Sequence, residues 1–183
     1  MSQRGSGYAR KAFDHYETPE WVTQAVVPHL GPKLHIWEPA AGGGKMVRAL
    51  AQAGCTVEAS DIADGRDFLK TPAIFNCDAI VTNPPYSRAR QFIEHAIELI
   101  QPSMGKVAML LRTDFDHAKS RQHLFSECPI FAKKLVLTRR IVWFEAPKAA
   151  PSFNHVGIFG IGSTLVRRCS LIGSLITTMV RYT

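Results

Sequence analysis

Between His35 and Ser60 the chain reads strand, glycine-rich turn, helix and strand, and few architectures accept that order at so short a spacing. His35-Ile36-Trp37-Glu38 is an apolar strand and Pro39-Ala40-Ala41-Gly42-Gly43-Gly44 is the turn. Lys45 to Ala53 carries Met46, Val47, Leu50 and Ala51 at helical spacing and stops at Gly54, a residue suited to ending a helix. Thr56 to Ser60 returns as a strand. A strand–helix–strand unit joins parallel strands, with the helix lying on one face of the sheet.

The rest of the chain extends the pattern. Thr18-Pro19-Glu20 opens a helix, with Thr18 capping and Pro19 in the first turn, that runs to about His29. Asp78 to Thr82 and Lys106 to Leu111 read as buried strands. Between them Arg88 to Ile100 reads as an amphipathic helix with Phe92, Ile93, Ala96, Ile97 and Ile100 on one side. Arg121 to Cys128 is predicted to be helical and Leu135 to Phe144 to be extended. The expected fold is α/β, a mostly parallel central sheet flanked by helices.

A chain of 183 residues with 46% hydrophobic content has the size of one domain with a real core. Its net charge of +7 favours encounter with a polyanion. Cys55, Cys77, Cys128 and Cys169 show neither zinc-ligand nor disulfide spacing, and the seven histidines show no ligand spacing. No metal is expected, and a reducing, cytoplasmic setting is. Residues 1–12 read as a flexible basic arm carrying Arg4, Arg10 and Lys11. The apolar stretch from Val156 to Val180 is interrupted by Arg167 and Arg168, too broken for a membrane span.

A glycine-rich turn between strand and helix lets a ligand approach the backbone. The spacing here matches neither the dinucleotide fingerprint nor a P-loop. Glu38 ends the strand before the turn, where a carboxylate repels pyrophosphate and attracts an ammonium or sulfonium centre. Asp61 ends the second strand, where an acid commonly hydrogen-bonds ribose hydroxyls. Asp67 then precedes Phe68, a carboxylate for an adenine amino group beside a ring to pack on the base. Asn83-Pro84-Pro85-Tyr86 stops the next strand abruptly. The prolines fix φ and remove donors, leaving a stiff rim of acceptors beside an aromatic ring. That chemistry suits an exocyclic amino group on a flat ring.

Taken in order, Glu38-Pro39-Ala40-Ala41-Gly42-Gly43-Gly44, Asp61, Asp67-Phe68 and Asn83-Pro84-Pro85-Tyr86 resemble the class I S-adenosylmethionine-dependent methyltransferases. Within them the chain resembles the DNA adenine-N6 branch, most closely small phage and prophage members. Tyr16-Glu17-Thr18-Pro19 matches the element that opens their pattern, and the resemblance spans residues 13–155. It implies a Rossmann-like methyltransferase fold, S-adenosylmethionine as cofactor, S-adenosylhomocysteine as product and DNA as partner, in a bacterial or phage-infected cell. It implies that Tyr16, Thr18, Pro19, Pro39, Ala40, Gly42 and Gly44 hold the methionine portion with Glu38 near its ammonium. Asp61 then takes the ribose, and Asp67 and Phe68 the adenine. The Asn83 side-chain oxygen and the Pro84 carbonyl accept both hydrogens of the target amine, while Pro85 stiffens the rim and Tyr86 stacks on the base. Arg112, Asp114, Arg139 and Arg140 are candidate contacts to the substrate, the last two beside Trp143 and Phe144. The same element serves methylation of adenine in RNA or of glutamine in protein, and an inactive cofactor-binding or nucleic-acid-binding module is the alternative of another class. A large separate target-recognition domain is not expected in 183 residues, so site choice is expected to come from short loops, from a partner subunit or homodimer, or to be loose.

After His155 the chain departs from that family. Where a Trp- and Asp-rich strand is expected, it reads Val156-Gly157-Ile158-Phe159-Gly160-Ile161-Gly162. Codons for these residues, read one base earlier, permit Trp-Asp-x-Trp-Asp-Trp. Residues 156–183 are therefore expected to be a tail read in a shifted frame, with the last strand region disrupted.

Overall fold

The structure is a computed structural model that describes residues 17–72 and 76–143, together with the backbone of two further strands at 155–157 and 179–182. The arm expected at 1–12, Tyr16, Phe144, Cys169 and most of the expected tail lie outside the described residues.

Three helices and seven strands are described: α1 (Glu20–Leu30), β1 (His35–Glu38), α2 (Lys45–Gln52), β2 (Thr56–Ala59), β3 (Ala79–Thr82), α3 (Ala89–Ile100), β4 (Lys106–Arg112), β5 (Lys134–Leu137), β6 (His155–Gly157) and β7 (Met179–Tyr182). The strands form one sheet in the order β2-β1-β3-β4-β6-β5-β7. β2, β1, β3 and β4 are parallel, with Ile36 opposite both Val57 and Ala79, and Ile80 opposite Val107. β6 runs antiparallel to both β4 and β5, so β5 points the same way as β4. β7 adds a parallel edge to β5. The expected α/β sheet flanked by helices is present.

Side-chain alternation along the strands explains why both faces are covered. On one face Ile36, Ala79, Val81 and Ala108 pack with Val26 and Leu30 of α1 and Leu50 of α2. On the other, Trp37, Ile80, Val107 and Met109 pack with Phe92, Ile93, Ala96 and Ile100 of α3. The chain leaves β1 for β2 on one side and returns to β3 on the other. The sheet therefore has its switch point between β1 and β3, where a crevice opens beyond the carboxyl ends of the strands. Asp78 anchors the opposite end: its carboxylate accepts from the His35 N–H at 2.8 Å, and its carbonyl accepts from Lys106 at 2.9 Å.

Several local expectations change. Pro19, not Thr18, is the N-cap of α1; at ψ 146° it is still extended, and no side chain caps the helix. Thr18 is buried instead. The helix expected at 121–128 is a 3-10 segment, Lys119–Leu124. It breaks at Phe125, which turns inward to meet Phe115 and Phe131 edge-on at 6.1 and 5.5 Å. The strand expected over 135–144 ends at Leu137. Ile141 is buried against Val22, Leu110 and Leu137, so the alternation there reflects docking onto α1 rather than a ladder. β6 pairs Val156 with Leu111 and Gly157 with Leu110. No helix among the described residues is long and apolar enough to cross a membrane.

Candidate active site

β1 delivers Glu38 to the crevice with 1% of its surface exposed. Its Oε1 accepts weakly from the Ala40 N–H at 3.4 Å, and its Oε2 is buried with no hydrogen-bond partner among the described residues. Burial pushes the carboxyl up to about 8; the Thr82 hydroxyl and the Ala40 amide pull it back in part, and the charge of Asp61 adds to the rise. The hydroxyl of Thr82 does not complete a hydrogen bond of good geometry, for its Oγ1 is itself buried without a partner among the described residues.

The glycine-rich turn is tied to the second strand on two sides. Ala41 N–H donates to the Ser60 carbonyl at 3.1 Å, and Ser60 N–H donates to the Glu38 carbonyl at 2.9 Å. The Asp61 carboxylate accepts from the N–H groups of Gly42 and Ala63, each at 2.9 Å. Gly44 is the N-cap of α2. At Gly43 the Glu17 carboxylate occupies the space a Cβ would take, so a larger residue there would require the Glu17 side chain to move. Glu17 is paired with Lys45 at 3.1 Å, across the turn.

Asp67 caps a short 3-10 turn, accepting from the Leu69 N–H at 3.2 Å. Phe68 is almost wholly buried, its ring 5.2 Å from Trp37, 4.8 Å from Phe92 and 5.0 Å from His95. Trp37 in turn donates from its indole to the Ser60 hydroxyl at 2.9 Å, locking β1 to the loop after β2. Beyond β3, Pro85 holds the next turn by accepting from the Arg88 N–H at 2.9 Å. The Oδ1 of Asn83 and the hydroxyl of Tyr86 are buried.

These groups meet in one cavity of about 390 Å³, within the range of small-molecule sites. Of the residues singled out from sequence, Thr18, Glu38, Pro39, Ala40, Gly42, Asp61, Asp67, Phe68, Asn83 and Pro85 line it. Pro19, Gly44, Pro84 and Tyr86 are not among the lining residues. Sequence reasoning missed Glu17, Lys45, Ile62, Arg66, Ser87, Arg88 and Phe92. Ile62 had a signal, an apolar residue directly after an acidic strand end, and it is 43% exposed at the cavity. The helical spacing of Phe92 marks it only as core, and Arg88 carries no signal beyond its charge.

The four residues suggested as substrate contacts lie apart from this lining. Arg112 ends β4 and pairs with Asp114 in a fork, at 3.1 and 2.8 Å. Lys134, at the start of β5, pins the turn behind that pair by donating to the Thr113 carbonyl at 2.9 Å and to both oxygens of Asp116 at 2.8 Å. Arg139 lies over the Trp21 ring of α1 at 5.0 Å. Arg140 is exposed. Because β5 runs with β4, these residues share the sheet edge at which the cavity opens. No group of three or more potential metal ligands occurs among the described residues.

No family model matches the chain, and no curated protein sequence does. Solved structures match at the level of fold. A provisionally named RNA methyltransferase from Pyrococcus horikoshii superposes with a TM-score of 0.58 at 13% identity, over 85% of this chain and 91% of that one. A type I restriction-modification methyltransferase subunit from Streptococcus thermophilus gives 0.57 at 14% identity, over 81% of this chain and 45% of that one. The Burkholderia thailandensis 1,6-didemethyltoxoflavin-N1-methyltransferase, solved with S-adenosylhomocysteine, gives 0.52 at 12% identity, over 80% and 79%. This chain spans less than half of the restriction subunit. The fold is the Rossmann-like α/β fold of methyltransferases.

Proposed function

We propose that this chain is an S-adenosylmethionine-dependent methyltransferase that methylates the exocyclic N6 of adenine in DNA. The observation that carries the reading is the convergence of Glu38, the glycine-rich turn, Asp61, Asp67, Phe68, Asn83 and Pro85 on one cavity at the sheet's switch point. The buried, unpaired Oε2 of Glu38 fits the cofactor's ammonium, because a buried acceptor without a partner is costly until a donor arrives. The backbone along Ala40 to Gly43 fits the methionine chain. Asp61 keeps lone pairs for ribose hydroxyls, and Ile62 offers an apolar face for a base.

When bound, the cofactor supplies an electrophilic methyl group on a sulfonium and leaves as S-adenosylhomocysteine. This chain's residues make the amine a nucleophile. The lone pair of an adenine amine is delocalised into the ring. Acceptance of its two hydrogens by the Asn83 amide oxygen and the Pro84 carbonyl turns the nitrogen toward tetrahedral geometry. Both contacts strengthen as positive charge grows on nitrogen, so they favour the transition state over the ground state. Pro85 holds the rim rigid, and Tyr86 offers a face to a base drawn out of the helix. Positioning does most of the rest.

Support for DNA as substrate comes from the +7 charge, from Arg112, Arg139 and Arg140 at the same sheet edge, and from the restriction-modification neighbour. The test uses methyl-labelled S-adenosylmethionine with DNA, RNA and protein substrates in parallel, and Asn83→Ala as control. Label recovered as N6-methyladenine in DNA, and reduced at least about 100-fold in the variant, is the expected result. Label in RNA or in protein glutamine would replace the substrate and keep the chemistry. Cofactor binding without transfer to any of them would make the chain an inactive module.

A further inference from the structure

Three cationic side chains line the cavity, and two of them are paired. Lys45 pairs with Glu17 at 3.1 Å, and Arg66 pairs with Glu58 at 3.2 Å. Arg48, at the neighbouring shallow groove, donates to the Gly43 carbonyl at 2.9 Å. Arg88 differs. It lines the cavity, it is exposed, and among the described residues its guanidinium has neither a hydrogen-bond nor an ion-pair partner. Its backbone is nevertheless fixed, since its N–H donates to the Pro85 carbonyl at 2.9 Å and α3 begins at the next residue.

We infer that Arg88 grips a phosphate flanking the target nucleotide, which makes the substrate of this site a phosphodiester-linked base. The inference rests on the methyltransferase reading above and deepens it. An arginine held to the rim that would present the reacting amine, with no anion among the described residues to pair with it, is matched to an anion that arrives with the substrate. The planar guanidinium offers paired donors that suit two phosphate oxygens. A glutamine side chain in protein brings no such anion. The cofactor does bring a carboxylate, but its methionine end belongs with the turn after β1, where Lys45 already stands; Arg88 follows β3, two residues beyond Tyr86. The exposed Ser87 beside it supplies a further donor to the same phosphate.

The test measures two affinities on the full chain, wild type, R88A and R88K. A fluorescein-labelled 12-nucleotide adenine-rich DNA strand is titrated by anisotropy between 50 and 200 mM NaCl, and S-adenosylhomocysteine is titrated by calorimetry. One phosphate contact contributes about 0.7 to the slope of log affinity against log salt on a single strand. R88A is therefore expected to flatten that slope by about this amount and to weaken DNA binding roughly tenfold at the lowest salt. S-adenosylhomocysteine affinity should stay within about twofold, which also certifies the fold. R88K keeps the charge and loses the fork, so it should restore the slope and only part of the affinity. An unchanged slope in R88A overturns the inference. So does a loss of S-adenosylhomocysteine affinity with DNA binding intact, which would assign Arg88 to the cofactor. A wild-type protein that binds S-adenosylhomocysteine but no oligonucleotide fails at an earlier point, because it removes the nucleic-acid reading itself.

Discussion

The Gly42 N–H donates to Oδ2 of Asp61 at 2.9 Å, so the carboxylate that closes β2 also holds the glycine-rich turn that follows β1. One side chain spans two loops separated by 19 positions. Its other oxygen takes the Ala63 N–H, and the whole group is 6% exposed.

Asp61 therefore serves the shape of the turn as well as any ribose bound there. Asp61→Ala removes two charge-assisted hydrogen bonds and is expected to cost about 2–4 kcal/mol of stability. Asp61→Asn keeps one acceptor but turns an NH2 toward one of the two N–H groups, so it should lose about half as much. Thermal melts give the stability order, and calorimetry with S-adenosylhomocysteine should show weaker binding in both variants. A melt of Asp61→Ala matching the wild type would remove the bridging role.

Glu38 predicts a dependence on pH. Its carboxyl titrates near 8 in the folded chain, above the ordinary carboxylate value of 4.5, so the folded state holds a proton that the unfolded state has released. Between those two values the folded state binds more protons, and stability falls as pH rises. Above about 8 the fall should stop. Melts at pH 5.5 and 8.5 should show a loss in the wild type and a much smaller one in Glu38→Gln. The ligand effect has the opposite sign. An ammonium partner wants the carboxylate, so S-adenosylhomocysteine affinity should rise with pH toward 8, with proton release visible as a buffer-dependent heat. Equal slopes in wild type and Glu38→Gln would place the titration elsewhere.

Gly105 tests the packing behind the site. A Cβ there would meet the Asp78 carbonyl oxygen at 2.7 Å and Cγ1 of Ile100 at 2.5 Å. The first neighbour is backbone that also accepts from Lys106, so it cannot move without disturbing the start of β4. Gly105→Ala should cost about 1–3 kcal/mol, lowering Tm by roughly 3–10 °C. A Tm within about 1 °C of wild type would show that the turn absorbs the methyl group.

The tail is a question for the gene. Residues 156–183 are proposed to be read in a shifted frame, by mutation or by sequencing error. Resequencing codons 150–160 checks it: an added or missing base restoring the Trp- and Asp-rich reading is the expected result, and an uninterrupted frame with homogeneous reads would defeat it.

The order of strands and helices from Thr18 to Ile100 was legible because each element has its own local signal. Apolar runs end at Glu38, Asp61 and Asn83, and glycine and proline punctuate them. Helical spacing likewise marked α2 and α3. The Lys119–Leu124 segment and the stretch after Leu137 were misread, because Phe125 and Ile141 are drawn inward by contacts far along the chain, to aromatic neighbours in one case and to Val22 in the other. Periodicity over a short window cannot distinguish such docking from a regular element.

The sequence by itself determined the acids, the glycines and the Asn83-Pro84-Pro85-Tyr86 rim, since these are fixed by chain order and local backbone chemistry. Only the tertiary structure decided that Glu38 loses its water and holds its proton to about 8, that Glu17 fills the space above Gly43, and that Arg88 reaches the cavity without a partner among the described residues. Desolvation, close approach and ion pairing are relations between residues from different elements. They exist only once β1 and β3 are side by side in the sheet.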